Sequence, residues 1–100
     1  MQTISKMYNL QQIEILAAPI LKRHGVEKAA VFGSFATGRA NKTSDIDFII
    51  EFGDDKSLLD LIALQMALTK SLGRKADVIT YASVHRLLKD RILSEQVSIM

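Results

Sequence analysis

The chain has 100 residues, 48% hydrophobic and 24% charged, with a net charge of +2. That balance is globular and predicts one domain over residues 1–100, small enough to gain from a partner. The absence of cysteine excludes disulfide staples, thiolate metal ligands and a cysteine nucleophile.

The opening MQTISKMYNLQQIEIL has no basic head followed by an apolar run, and no apolar run approaches the roughly 20 residues of a membrane span. A cytoplasmic protein with no membrane partner is therefore expected. No basic stripe stands out, so direct contact with nucleic acid is not expected.

In chain order, Ile13, Leu16, Ala17, Ile20 and Leu21 have helical spacing over residues 9–24, and Gly25 is a stop. Pro19 lies inside this stretch and predicts a kink or a split into two short helices. KAAVFG at 28–33 reads as a buried strand, and DIDFIIEF at 45–52 as a second. Between them lies the turn GSFATGRANKTS. Ser57 with Asp60 forms a capping-box pattern, opening a helix that runs through Leu58, Leu61, Ile62, Met66, Leu68 and Leu72 to a stop at Gly73. ADVIT at 76–80 reads as a third short strand. Ser83 is a candidate cap for a last helix through Val84, Leu87, Leu88, Ile92 and Leu93, and the apolar side of that helix, with Leu88, Ile92 and Val97, is a candidate partner surface. His85 reads as an exposed first-turn residue. The pattern is α/β (α+β): a small mixed sheet of about three strands covered by helices.

The acids at the start of the second strand need an explanation. Side chains alternate along a strand, so Asp45 and Asp47 share one face while Ile46 and Phe48 take the other. Two carboxylates about 4 Å apart repel by several kcal/mol at an intermediate dielectric. A divalent cation removes that cost, and Mg²⁺ favours carboxylates together with substrate phosphates. Asp77, set between Ala76 and Val78, is a third acid on a buried-looking strand. If that strand neighbours the second, three carboxylates meet, and two metals about 3.5–4 Å apart could grip a substrate. The plainer role for Asp77 is an ion partner of Arg74 or Lys75.

Phosphate is the natural companion. Gly33 allows close backbone approach, the amides after it can face an anion, and Ser34 adds a hydroxyl donor. Gly38 adds a flexible position, and Arg39 and Lys42 bring positive charge. Ser44 orders the turn before Asp45. Gly33 and Gly38 have the spacing of a Walker A loop, but Arg39-Ala40 follow where Lys-Ser/Thr is required.

Gly33-Ser34, Gly38, Ser44-Asp45-Ile46-Asp47 and then Asp77 on a later strand resemble the nucleotidyltransferase fold of the DNA polymerase beta superfamily. The chain length, LGRKADVIT and ILSEQVSIM narrow the resemblance to its minimal nucleotidyltransferase (MNT) members, from about residue 10 onward. The resemblance implies an antitoxin that transfers AMP from ATP to a tyrosine hydroxyl of a helical HEPN-type RNase toxin, in a hetero-oligomer. It implies Asp45, Asp47 and Asp77 as catalytic metal ligands for Mg²⁺, with two ions expected and Mn²⁺ as the substitute. Gly33 and Ser34 would bind the β and γ phosphates, with Gly38, Arg39 and Ser44 contributing to the nucleotide site. Phe35 departs from relatives that carry arginine there, which would weaken triphosphate binding. Two other readings follow from the same residues. One is an antitoxin that acts by binding alone, with a vestigial nucleotide site. The other is the catalytic subunit of a two-component small-molecule nucleotidyltransferase.

Overall fold

The computed structural model describes residues 8–100. Residues 1–7 lie outside it, and with them the start of the stretch read as lacking a secretion signal. Among the described residues, no helix is long and apolar enough to cross a membrane.

Helix α1 (Leu10–Arg23) starts at a capping box in which Asn9 accepts from the Gln12 amide and Gln12 accepts from the Asn9 amide. These bonds satisfy orphan donors of the first turn. Pro19 lies within α1 and does not divide it in two. The carbonyl deprived of its bond is that of Ile15, whose side chain is exposed, so water can take the place of the missing N–H. Ile13, Ala17, Ile20 and Leu21 form the buried stripe.

Strand β1 (Val26–Phe32) begins two residues earlier than the alternation suggested. The turn after it is more ordered than expected, since it holds a one-turn helix α2 (Ser34–Thr37). Strand β2 (Ile46–Phe52) starts just after Asp45. Helix α3 (Leu58–Leu72) has the expected Ser57–Asp60 capping box and ends on Gly73 in the left-handed conformation. Hydrogen bonds from Ser57 hold the exposed Asp60 carboxyl below the usual carboxylate range. Strand β3 is Ala76–Thr80, as read.

Helix α4 (Arg86–Glu95) differs in its cap. His85, not Ser83, is the N-cap, and its Nδ1 accepts from the Leu87 amide at 3.1 Å. Ser83 turns back instead, and its amide donates to the Thr80 carbonyl at 3.1 Å. Val97–Ser98 form a fourth strand, β4, against β1.

The sheet order is β3-β2-β1-β4. β1 is antiparallel to both β2 and β4, and β2 is parallel to β3, so the sheet is mixed. Helices α1 and α3 cover one face, where Leu21, Leu64, Leu68 and Leu72 meet Val31, Ile46, Phe48, Ile50 and Val78. On the other face Ala30 and Ile49 form a smaller cluster with Ile92 of α4, flanked by Phe32 and Ile79. Ile92 is therefore core and Val97 a strand residue; of the three residues named above as a partner surface, Leu88 alone is exposed.

Candidate active site

The parallel pairing of β2 with β3 aligns Asp47 directly with Asp77. The antiparallel pairing with β1 aligns Asp47 with Phe32. Phe32, Asp47 and Asp77 thus form one row across three strands. Directly opposed residues share a face, and this is the face of Ile49 and Ile79, away from α1 and α3. Asp45 precedes the row by two residues and is half-buried.

Electrostatics ties the acids together. The Asp47 carboxyl is pushed up to about 6 from 3.8, first by burial, then by the charge of Asp77, then by that of Asp45. Burial and like charges both disfavour its ionised form. Asp77 also has a neighbour of opposite sign, Lys75, with Nζ 3.9 Å from Oδ1 and both side chains substantially exposed. Among the described residues, no three His, Cys, Asp or Glu side chains stand as a formed ligand set. The chemistry of the donors nonetheless fits a hard divalent cation: three carboxylates, acceptor-only when ionised, each charge raising the cost of the next.

Gly33 has two reasons to be glycine. Its φ of 74° lies in the left-handed region. A Cβ there would also collide with Oδ2 of Asp47. The backbone turn is thus pressed against the central carboxylate. The amides of Ala36 and Thr37 donate to the Gly33 carbonyl, and those of Gly38 and Arg39 to the Ser34 carbonyl. Of the donors anticipated for an anion, those of Ser34 and Phe35, at the first positions of the turn, remain free of intrahelical bonds. Gly38 ends α2 at a φ of 78°, and a Cβ there would meet open space, so its requirement is conformational.

The loop that carries Asp45 is held by the segment leading into the neighbouring strand β3. Ser44 Oγ accepts from the Asn41 amide at 2.8 Å, as expected of a turn-ordering residue. Arg74, just before β3, donates to the Ser44 carbonyl from Nε at 3.2 Å and from Nη2 at 3.0 Å, and to the Asn41 carbonyl at 2.8 Å. Its guanidinium also lies 5.4 Å from the Phe35 ring centroid. Phe35 is buried, so the residue that departs from the resemblance is a core anchor for α2.

Two clefts flank the acids. One, of about 260 Å³, is lined by Lys42, Ser44, Asp45, Arg74 and Lys75 among others. The second, of about 230 Å³, opens beside Gly33 under α4. Arg39 is exposed and lines neither. Sequence reasoning missed the bracing role of Arg74 and the place of Phe32 in the row of acids. For Phe32 the signal was present, as the last apolar residue before Gly33. For Arg74 there was none, because its partners are backbone carbonyls about 30 residues away.

Residues 16–100 match the family model described as polymerase beta, nucleotidyltransferase. With a mixed sheet of that fold, the chain belongs to this nucleotidyltransferase family. A Methanocaldococcus jannaschii protein named "Putative protein adenylyltransferase" is 50% identical over 92 residues, covering 92% of this chain and 99% of that one. "Protein adenylyltransferase MntA" of Thermococcus cleftensis is 35% identical over 95 residues, covering 91% of this chain and 96% of that one. Among solved structures, one described as a "putative minimal nucleotidyltransferase" superposes with a TM-score of 0.79 at 28% identity, over 92% of this chain and 97% of that one. A chain of a toxin–antitoxin crystal structure with AMP-PNP shares the fold, with a TM-score of 0.78 at 19% identity over 87% of this chain and 72% of that one.

Proposed function

We propose that this chain, acting as a single catalytic domain, is the antitoxin of a toxin–antitoxin pair. It transfers AMP from ATP to a tyrosine hydroxyl of a HEPN-type toxin, and Asp45, Asp47 and Asp77 hold the divalent metal the reaction requires. The observation that carries the reading is the in-register Asp47–Asp77 pair with Gly33 pressed against it. Relatives named as protein adenylyltransferases support protein as the acceptor.

When bound, Mg²⁺ would neutralise the carboxylates and draw charge from the phosphate oxygens. The chain's own residues do the rest. Gly33 lets the backbone approach the β and γ phosphates, and Ser34 offers its amide and hydroxyl. Gly38 and Ser44 shape the turn, and Lys42 and Arg39 add positive field. Asp45 and Asp47, at the start of β2, would hold the cation that neutralises the α-phosphate and so position it over the strand start. Asp77, partly exposed, takes the proton as the tyrosine oxygen attacks the α-phosphorus. The bond between that phosphorus and the bridging oxygen breaks, and pyrophosphate leaves in line. Positioning and charge compensation supply most of the acceleration.

The test is intact mass spectrometry of a HEPN-type partner protein incubated with this chain, ATP and Mg²⁺. The expected result is a gain of one or more AMP units, abolished by Asp45→Asn with Asp47→Asn. Neutralisation of the toxin with no mass gain would replace this reading with neutralisation by binding alone. Transfer at full rate by the double variant would remove the acids from the chemistry.

A further inference from the structure

The geometry points to the cleft between the end of β1 and α4 as the seat of the acceptor's aromatic ring. Its occupant is a hydroxyl-bearing aromatic side chain carried on a protein partner, with the hydroxyl reaching past Phe32 to the Asp47–Asp77 pair. The inference rests on the adenylyl-transfer reading above and adds to it where the acceptor docks.

The cleft, of about 230 Å³, is lined by Phe32, Gly33, Leu88, Arg91, Ile92 and Glu95. Its inner wall is tied to the catalytic row, because Phe32 is the register partner of Asp47. Opposed side chains on adjacent strands stand about 4.5–5.5 Å apart at Cβ. A ring lying against Phe32 therefore carries its polar substituent to the Asp47 carboxylate with no further reach.

Size limits what can enter. The volume is below the roughly 300–1,000 Å³ of a site for a drug-sized ligand, so it takes one ring and not a whole nucleotide. Phe32, Leu88 and Ile92 make its walls apolar, as an aromatic ring requires.

The apolar surface also continues outside the cleft. Leu88 is 51% exposed and Leu87, beside it on α4, is 78% exposed. A free nucleobase would cover the cleft and leave Leu87 in water. A protein segment bearing the ring would cover both, which favours a protein occupant. At the rim, Arg91 and Glu95 lie 3.6 Å apart in an exposed pair. They offer one donor and one acceptor, the complement of a peptide group beside the inserted side chain.

The experiment is steady-state AMP transfer to a HEPN-type acceptor protein, varying acceptor and ATP independently, with the parent chain, Leu88→Glu and Leu88→Ala. Leu88 is half-exposed, and the alanine variant guards against a folding effect of the glutamate. The expected outcome is an acceptor KM raised about tenfold by the glutamate and less by the alanine, with the KM for ATP unchanged. An unchanged acceptor KM, or a raised KM for ATP, would overturn the inference; the latter would make the cleft a nucleobase pocket. If the parent chain transfers no AMP, the proposed function fails, and the cleft is then decided by titrating N-acetyl-tyrosinamide into methyl-labelled protein. Saturable shifts of the Leu88 and Ile92 methyls at about millimolar ligand support the inference. Methyls unmoved at ~20 mM overturn it.

Discussion

Asp47 carries the tension in this molecule. It sits second in β2, in register with Asp77 and against the Gly33 turn. Its pKa of about 6 lies above the unfolded value of 3.8, so between these values the folded chain holds the proton more tightly than the unfolded chain. Stability therefore falls as pH rises through that window. In metal-free buffer, Asp47→Asn should be more stable than the parent at about pH 7.5, by on the order of 1 kcal/mol after allowing for solvent screening at a half-buried group. The gain should vanish near pH 4, where the parent carboxyl is protonated too. Urea denaturation at both values checks this, and an equal gain at both would remove the electrostatic cause. Mg²⁺ should raise the Tm of the parent at the higher pH and leave the asparagine variant unmoved. A residue that costs stability in order to hold charge is a candidate functional residue.

At the scale of elements, the site depends on a loop fastened to a strand distant in sequence. Asp45 follows the turn Asn41–Ser44, and Arg74 clamps two carbonyls of that turn while covering Phe35. One guanidinium thus sets the relation between α2, the Asp45 loop and the start of β3. Arg74→Met keeps much of the side chain's bulk and removes the donors. We expect a stability loss of about 1–3 kcal/mol and a kcat for AMP transfer reduced about tenfold, with the amides around Asn41 exchanging faster. Arg74→Lys should recover little, because an ammonium cannot reproduce the planar fork. Hydrogen exchange together with kcat separates this from a diffuse folding effect. If exchange in residues 41–44 is unchanged, the brace is not what holds Asp45.

For the whole molecule, one helical layer does most of the stabilising. Phe48 is fully buried between the sheet and the α1–α3 layer, whereas Leu59 on the outer side of α3 is 75% exposed. Phe48→Ala should cost about 3–5 kcal/mol, a large share of what a domain of this size has. Leu59→Ala should stay within about 0.5 kcal/mol. The difference in urea midpoint between the two variants checks the assignment of the core. Phe48 points away from the acids, so any activity lost in its variant should track the folded fraction. The α4 face is thinner, with Ile92 as its buried helical residue, and that leaves room for a cleft beside the row of acids.

The local features of this chain were legible from the sequence because they depend on neighbours. The capping box at Ser57 and the stop at Gly73 follow from backbone donors and φ values a few residues away. So does β3, whose bounds match the reading residue for residue. The candidate acids stood out for a similar reason: repeated carboxylates in apolar strands are costly enough to be conspicuous. Non-local choices were not legible. Val97–Ser98 became a strand because the edge of β1 was free to pair, and His85 displaced Ser83 as a cap because Thr80 captured the serine. Pro19 left α1 whole because its orphaned carbonyl faces water. The sequence by itself determined α1, α3, α4, the first three strands and the three candidate acids, but not which side of α3 and α4 is buried: Leu58, Ile62, Met66, Leu87 and Leu93 have helical spacing and are exposed, while Leu64 is core. Only the tertiary structure decided that β2 and β3 run parallel with Asp47 opposite Asp77, that Phe32 closes the row and that Arg74 holds the loop. Those facts rest on pairings across about 15 to 33 residues, and chain entropy leaves such pairings open until the whole core has formed.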